Sequence, residues 1–445
     1  MPGPRVSRGE VVEAGLTWTG ARFEPGVRIA VDAGGRIEAV GALEREPTRR
    51  LPRRALVPGL VDAHSHAFQR GLRGRGETFP AGRGSFWTWR EAMYGLVESL
   101  DRASFGALCR RTFGEMRDAG ITTVGEFHYL HHATGSTDGS FDEVVLDAAA
   151  EVGIRLVLLQ SYYRTGGIGR PLEAVQRRFD SGSLAGFLEG LDRLAGRLDP
   201  RTQALGIAPH SIRAATLDDI VALHAEAVRR RLPFHIHVEE QPAEIEECVD
   251  AHGERPLALL LRALGSAERL VAVHCTHTTP GDLAALVEAG GSACICPLTE
   301  ANLGDGLPEL APLGGFIDRL SLGSDSNARI AMTEEMRWLE YGQRLARGER
   351  GALTDPGGSV GRALLAIATT GGAAALAVEA GAIAPGRWAD FAAIDLDAPA
   401  LAGCDEDSLL DGWIFGSGNG AIAATCVAGT WRASSGREAP GAGAA

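Results

Sequence analysis

Two histidines one residue apart, His64 and His66, follow an apolar run in PGLVDAHSH. Residues two apart on a strand project to the same side. The two imidazoles therefore share a face, an arrangement suited to Zn2+ or Fe2+. His237, in HIHVEE, could supply a third nitrogen, and Asp325, in GSDS, a carboxylate. Three neutral nitrogens and one oxygen, with room for water, make a catalytic rather than a structural shell. Glu240 stands three residues past His237, where a strand gives way to a loop. A carboxylate beside an activated water is suited to moving protons, whereas its neighbour Glu239 reads as a solvated acid. His274 directly follows an apolar run and reads as a base or an orienting group. His235 lies deeper in the same strand as His237 and reads as a hydrogen-bonded neighbour of the site. His131, His132, His224, His252 and His277 read as structural or surface residues.

The elements that must position these groups are apolar runs alternating with helical stretches. The strand candidates are ALVPGLVDAH, ITTVGEF, IRLVLLQ, ALGIAPH, LPFHIHVEE, RLVAVHC, SACICPL and RLSLGSD, with helical patterns such as TLDDIVALHAEAVRRR between most of them. Such alternation predicts a parallel sheet, and eight units predict a closed (β/α)8 TIM-like barrel of the α/β class. An open doubly wound sheet is disfavoured because no G-x-G-x-x-G follows the first strand. In such a barrel chemistry sits at the C-terminal ends of the strands, where His64, Glu126, His128, His210, His237, His274, Glu300 and Asp325 fall. Short strand-like pieces at both chain ends predict a small β-sandwich domain. Its expected extent is 1–57 plus 375–445, with the barrel over 58–374. The final GREAPGAGAA reads as a frayed tail.

Composition narrows the chemistry. The chain has 445 residues, 45% hydrophobic and 23% charged, the balance of a soluble globular protein. A net charge of −13 argues against a nucleic-acid surface. No apolar run reaches the ~20 residues of a membrane span. The N-terminus lacks the apolar core of a signal peptide, so a cytoplasmic location is expected. All 44 basic residues are arginine. That excludes a Schiff-base lysine, a P-loop lysine and a carbamylated-lysine metal bridge. The seven scattered cysteines read as reduced, mostly buried thiols.

Together these residues resemble the amidohydrolase superfamily, with PGLVDAHSH as its strand-one motif and His237-Val-Glu-Glu240 as the H-x-x-E of its mononuclear deaminase branch. HSHAFQR, SFWTWREAMY, EFHYLHH, HSIR, HIHVEEQ, TEANLGDG and EEMRWLEYGQRL are similar to the formimidoylglutamate deiminase family within it. The resemblance implies hydrolysis of N-formimino-L-glutamate to N-formyl-L-glutamate and ammonia, with zinc. It implies His64, His66, His237 and Asp325 as ligands, and Glu240 and His274 as proton-handling groups, with Asp325 taking part in catalysis. It implies Gln69, Tyr129, His210, Arg213 and Arg90 as substrate-binding residues. It also implies a homodimer in which Arg90 reaches the neighbouring subunit's site. Asn327 departs from the family, which often has histidine there.

Two arginines suit a substrate with two carboxylates, because each planar guanidinium can take one carboxylate in bidentate fashion. A rival is a deaminase of the same branch acting on a guanine-like or triazine ring, which would need an aromatic clamp instead. A second rival, a non-enzymatic scaffold on the same fold, is expected to have lost its metal ligands.

Overall fold

The computed structural model describes residues 9–436 apart from 76, 80, 81, 83 and 311–315. Among them, eight parallel strands pair in chain order. They are β1 (Leu60–Ser65), β2 (Ile121–His128), β3 (Arg155–Tyr162), β4 (Gln203–Pro209), β5 (Phe234–Val238), β6 (Leu270–His274), β7 (Ser292–Ile295) and β8 (Leu320–Leu322). Just past β1 and β8 the chain closes on itself. The Asp325 N–H donates to the His64 carbonyl at 3.0 Å, and the His66 N–H donates to the Asp325 carbonyl at 2.9 Å. The predicted barrel is thus formed, and its seam lies at the metal-competent residues.

Strands β1, β2, β3, β5 and β6 are buried at every position, because helices cover one face and barrel side chains fill the other. The covering helices are amphipathic. The one over Leu217–Arg230 buries Ile220, Leu223 and Ala227 as a stripe and ends at Arg231 in the left-handed region (φ 60°). Its start is capped by the Thr216 hydroxyl, which accepts the Asp219 N–H at 3.2 Å.

The chain ends build a second sheet, as one continuous mixed sheet. Its order is Thr430–Ala433, Ile422–Val427, Phe391–Asp395, Arg49–Pro58, Glu10–Trp18, Arg28–Val31 and Ile37–Gly41. Val12, Ile29, Leu56, Phe391 and Cys426 form its own core. Residues 437–445, most of the expected tail, lie outside the described residues.

One boundary departs from expectation. ALVPGLVDAH, expected as one strand, is divided between the two sheets, and the Arg-rich stretch before it belongs to the first part. Arg49–Pro58 is a strand of the end sheet, and the chain passes through Gly59 into β1. The basic run is neutralised in place, because Arg49 meets Glu10 and Arg54 meets Asp395, each at 2.7 Å. Gly59 is required by close approach: a Cβ there would lie 2.0 Å from Thr122 Oγ1.

Barrel and end sheet are joined by a buried ion pair. Arg155 on β3 donates to both oxygens of Asp390, at 2.7 and 3.1 Å, and Asp390 also accepts the Ala428 N–H at 2.7 Å. The Trp388 ring contacts the Arg155 guanidinium at 4.4 Å. Removing one member of a buried pair strands the other charge, which costs about 3–5 kcal/mol. Asp390→Ala is expected to lose that much in urea unfolding followed by circular dichroism. A loss below ~1 kcal/mol would show that the pair is not what joins the two sheets.

Candidate active site

At the C-terminal end of the barrel, His64 and His66 arrive on β1, His237 on β5, His274 on β6, and Asp325 in the loop after β8. One ligand atom from each of His64, His237, His274 and Asp325 lies within 4.8 Å of the others. The Nε2 atoms of His64 and His66 are each 3.3 Å from Asp325 Oδ1. The Nε2 atoms of His64 and His237 are 3.2 Å apart. All four residues of the expected ligand set therefore converge, and His274 joins them.

The donor chemistry fits a divalent cation. Nδ1 of His66 donates to the Phe127 carbonyl at 2.8 Å, and Nδ1 of His237 donates to the His210 carbonyl at 2.7 Å. Each bond fixes the proton on Nδ1 and turns the Nε2 lone pair into the cluster. Burial lowers the pKa of His64 to about 3 and lowers those of His66 and His237, so the imidazoles are neutral. Burial alone would raise Asp325. The contact with His64 and the neighbouring His274 and His66 outweigh it and keep the carboxylate ionised. Neutral imidazoles around a carboxylate are the donors a catalytic Zn2+ takes.

Glu240 follows β5 and lies 3.9 Å from His274 Nε2. Burial pushes its carboxyl upward, partly offset by His274. For His274 itself burial lowers the pKa, but Glu240, Glu300 and Asp325 outweigh that and raise it to about 10. A carboxyl pushed towards protonation beside a cationic imidazole is a pair able to give protons to a leaving group.

The cavity above this cluster is lined by all five residues expected to hold substrate: Gln69, Arg90, Tyr129, His210 and Arg213. Gln69 Nε2 donates to the Tyr129 hydroxyl at 2.8 Å. Arg213 is nearly buried and faces Glu244 at 3.7 Å, too far for a hydrogen bond. Arg90 comes from the Phe86–Ser99 helix, and its Nε donates to the Tyr94 hydroxyl at 2.7 Å. Arg90 thus borders the cavity of its own chain. Aromatic rings, among them Trp87, Trp89 and Tyr163, complete the wall.

Several residues at the site carried no assigned role in the sequence reading. Glu300 approaches His274 Nδ1 at 3.5 Å, and Glu244 backs Arg213. Asn327, in the left-handed region at φ 56°, ties the seam. Its Nδ2 donates to Ser65 Oγ at 3.0 Å and to the His66 and Asp325 carbonyls at 3.1 and 3.0 Å. Asparagine tolerates that backbone, which is the one signal the sequence offered. Glu239 is a correction. It is fully buried, accepts the Leu257 N–H at 3.2 Å and meets Arg255 at 3.3 Å, so it is not a solvated acid. His235 donates Nε2–H to the Ala375 carbonyl at 2.9 Å, away from the cluster. His128 and His131 both pair with Asp142, at 2.9 and 2.8 Å, in a separate polar cluster.

Barrel, seam and the convergent His/Asp cluster agree with what comparison finds: the chain belongs to the amidohydrolase family, which matches residues 55–432. Among curated relatives it is similar to formimidoylglutamate deiminase from Pseudomonas aeruginosa, at 40% identity over 86% of each chain. Among solved structures it is similar to an amidohydrolase from Brucella melitensis, with a TM-score of 0.84, 32% identity and 96% and 95% of the two chains covered. An adenosine deaminase from Xanthomonas campestris with bound zinc shares the fold, with a TM-score of 0.77, 24% identity and 95% and 92% of the chains covered. No helix among the described residues is long and apolar enough to cross a membrane.

Proposed function

We propose that this chain hydrolyses N-formimino-L-glutamate to N-formyl-L-glutamate and ammonia, a reaction of histidine degradation. The observation that carries the reading is the pairing of Arg213 and Arg90 on one cavity above the His/Asp cluster. A substrate with two carboxylates can be held by both guanidinium groups while its formimino carbon reaches the cluster. The 40% identity to the Pseudomonas aeruginosa deiminase supports the same substrate. The aromatic wall favours the second reading, a deaminase of a guanine-like or triazine ring, but such a ring offers the two arginines no carboxylate to bind.

His64, His66, His237 and Asp325 would hold one Zn2+ per subunit, and Fe2+ would suit the same donors. Such an ion would lower the pKa of a coordinated water and make it nucleophilic near pH 7. Asp325 takes the water proton, and His274 helps by holding the oxygen that attacks the formimino carbon. Glu240 passes a proton to the departing nitrogen. The C–N bond to that nitrogen breaks, ammonia leaves, and the carbon–oxygen double bond of the formamide forms. Gln69, Tyr129 and His210 orient the substrate, and no side-chain nucleophile is required.

The chain is read as a β-domain of 1–57 plus 375–445 around a barrel of 58–374, working in the cytoplasm as a homodimer. Arg90 lines its own cavity, so action in cis competes with the reading in which it serves the partner subunit. Arg213→Ala and Arg90→Ala are each expected to lower kcat/KM about ten- to a hundredfold, the worth of a charge-assisted hydrogen bond (~1.5–3 kcal/mol). Zinc content should not change. Unaltered kcat/KM in both variants would count against a dicarboxylate substrate. Mixed dimers of Arg90→Ala with Glu240→Gln recover activity only if Arg90 acts across the interface.

A further inference from the structure

Glu300 sits in the first turn of the helix Pro297–Leu303, which follows β7, and is 1% exposed. Its Oε1 accepts the Cys296 N–H at 3.0 Å and lies 3.5 Å from His274 Nδ1. Among the described residues, neither Glu300 Oε2 nor His274 Nδ1 has a hydrogen-bond partner. Across the ring, His274 Nε2 lies 3.9 Å from Glu240 Oε1. The imidazole is held flat against the His237 ring, with centroids 5.4 Å apart and planes at 16°. Its backbone is in the left-handed region, at φ 75°. What this packing leaves open is which edge of the ring meets Glu240. A buried carboxylate beside Nδ1 decides it.

We propose that Glu300 is the positioning residue of His274: from the Nδ1 side it fixes the orientation of the ring and so presents the Nε2 edge to Glu240 and the reacting group. Glu300 does not itself line the cavity and meets the site at His274, so it acts through the imidazole. The inference rests on the reading above only in taking His274 as a proton-handling group.

Glu300→Gln keeps the shape and an acceptor for the Cys296 N–H, but removes the negative charge that faces Nδ1 and with it the anchor of the ring. With zinc-loaded protein and N-formimino-L-glutamate, kcat is expected to fall about 10- to 100-fold, as for other outer partners of site histidines, with KM little changed. Zinc stoichiometry should hold, and Glu300→Asp should recover part of the loss. In a His274→Asn background, Glu300→Gln should cost nothing further. An unchanged kcat would overturn the proposal. So would an equal loss in both backgrounds, or a loss of zinc that tracks the loss of activity. If the wild type releases ammonia only from a heterocycle, the substrate reading fails, and the same four proteins compared on that heterocycle still decide the coupling.

Discussion

Glu240→Gln is expected to reduce turnover about 10²–10⁴-fold, the usual worth of a general acid–base group, while leaving bound metal and fold intact. The expectation follows from where Glu240 sits. It lines the cavity beside His274 and Asp325, but it is not among the residues whose ligand atoms cluster. Its nearest charged contact is His274 at 3.9 Å, so glutamine of the same shape breaks no short hydrogen bond. What is lost is a carboxyl pushed upward by burial, the group able to protonate the departing nitrogen. Steady-state kinetics with metal analysis on one preparation tests this. Near-normal turnover would assign the proton to another group. Glu239 is not that group, because the Leu257 N–H and Arg255 hold it away from the cavity.

His237→Ala is expected to lose metal and activity together. Its Nε2 faces that of His64 at 3.2 Å while its Nδ1–H is committed to the His210 carbonyl at 2.7 Å. The variant therefore deletes one of four donors and the bond that orients it, and three remaining donors hold a divalent ion poorly. The ring also packs against Phe127 at 4.4 Å and against His274, so the variant should unfold at a lower temperature even without metal. Elemental analysis after dialysis is the check. Stoichiometric zinc retained by an inactive variant would show that His274, part of the same cluster, has taken the vacant position.

Much of the site was legible because a barrel turns linear order into geometry. Residues ending successive apolar strands must converge, so His64, His66, His237, His274 and Asp325 could be placed together before any distance was known. The strands themselves were legible because they are buried on both faces and read as continuous apolar runs. Arg49–Pro58 was not, because its arginines are neutralised by Glu10 and Asp395 from distant parts of the chain, and a basic run carries no record of its partners. Glu300 and Glu244 were obscure for a related reason. Each becomes an orienting carboxylate only because a helix following a strand turns it back onto His274 or Arg213. Asn327 required a left-handed backbone at the seam, a feature of closure rather than of local pattern. For Arg90, the likeness of SFWTWRE to the family pointed to substrate binding, but its place on the cavity wall of its own chain emerges only from the fold.

The most direct test of the central claim is ammonia release by zinc-loaded protein, measured side by side with N-formimino-L-glutamate, adenosine, guanine and a triazine. The account predicts ammonia and N-formyl-L-glutamate in equal amounts from the first and negligible ammonia from the three rings. Turnover of a ring with none of N-formimino-L-glutamate would contradict it and give the cavity to its aromatic wall rather than to Arg213 and Arg90.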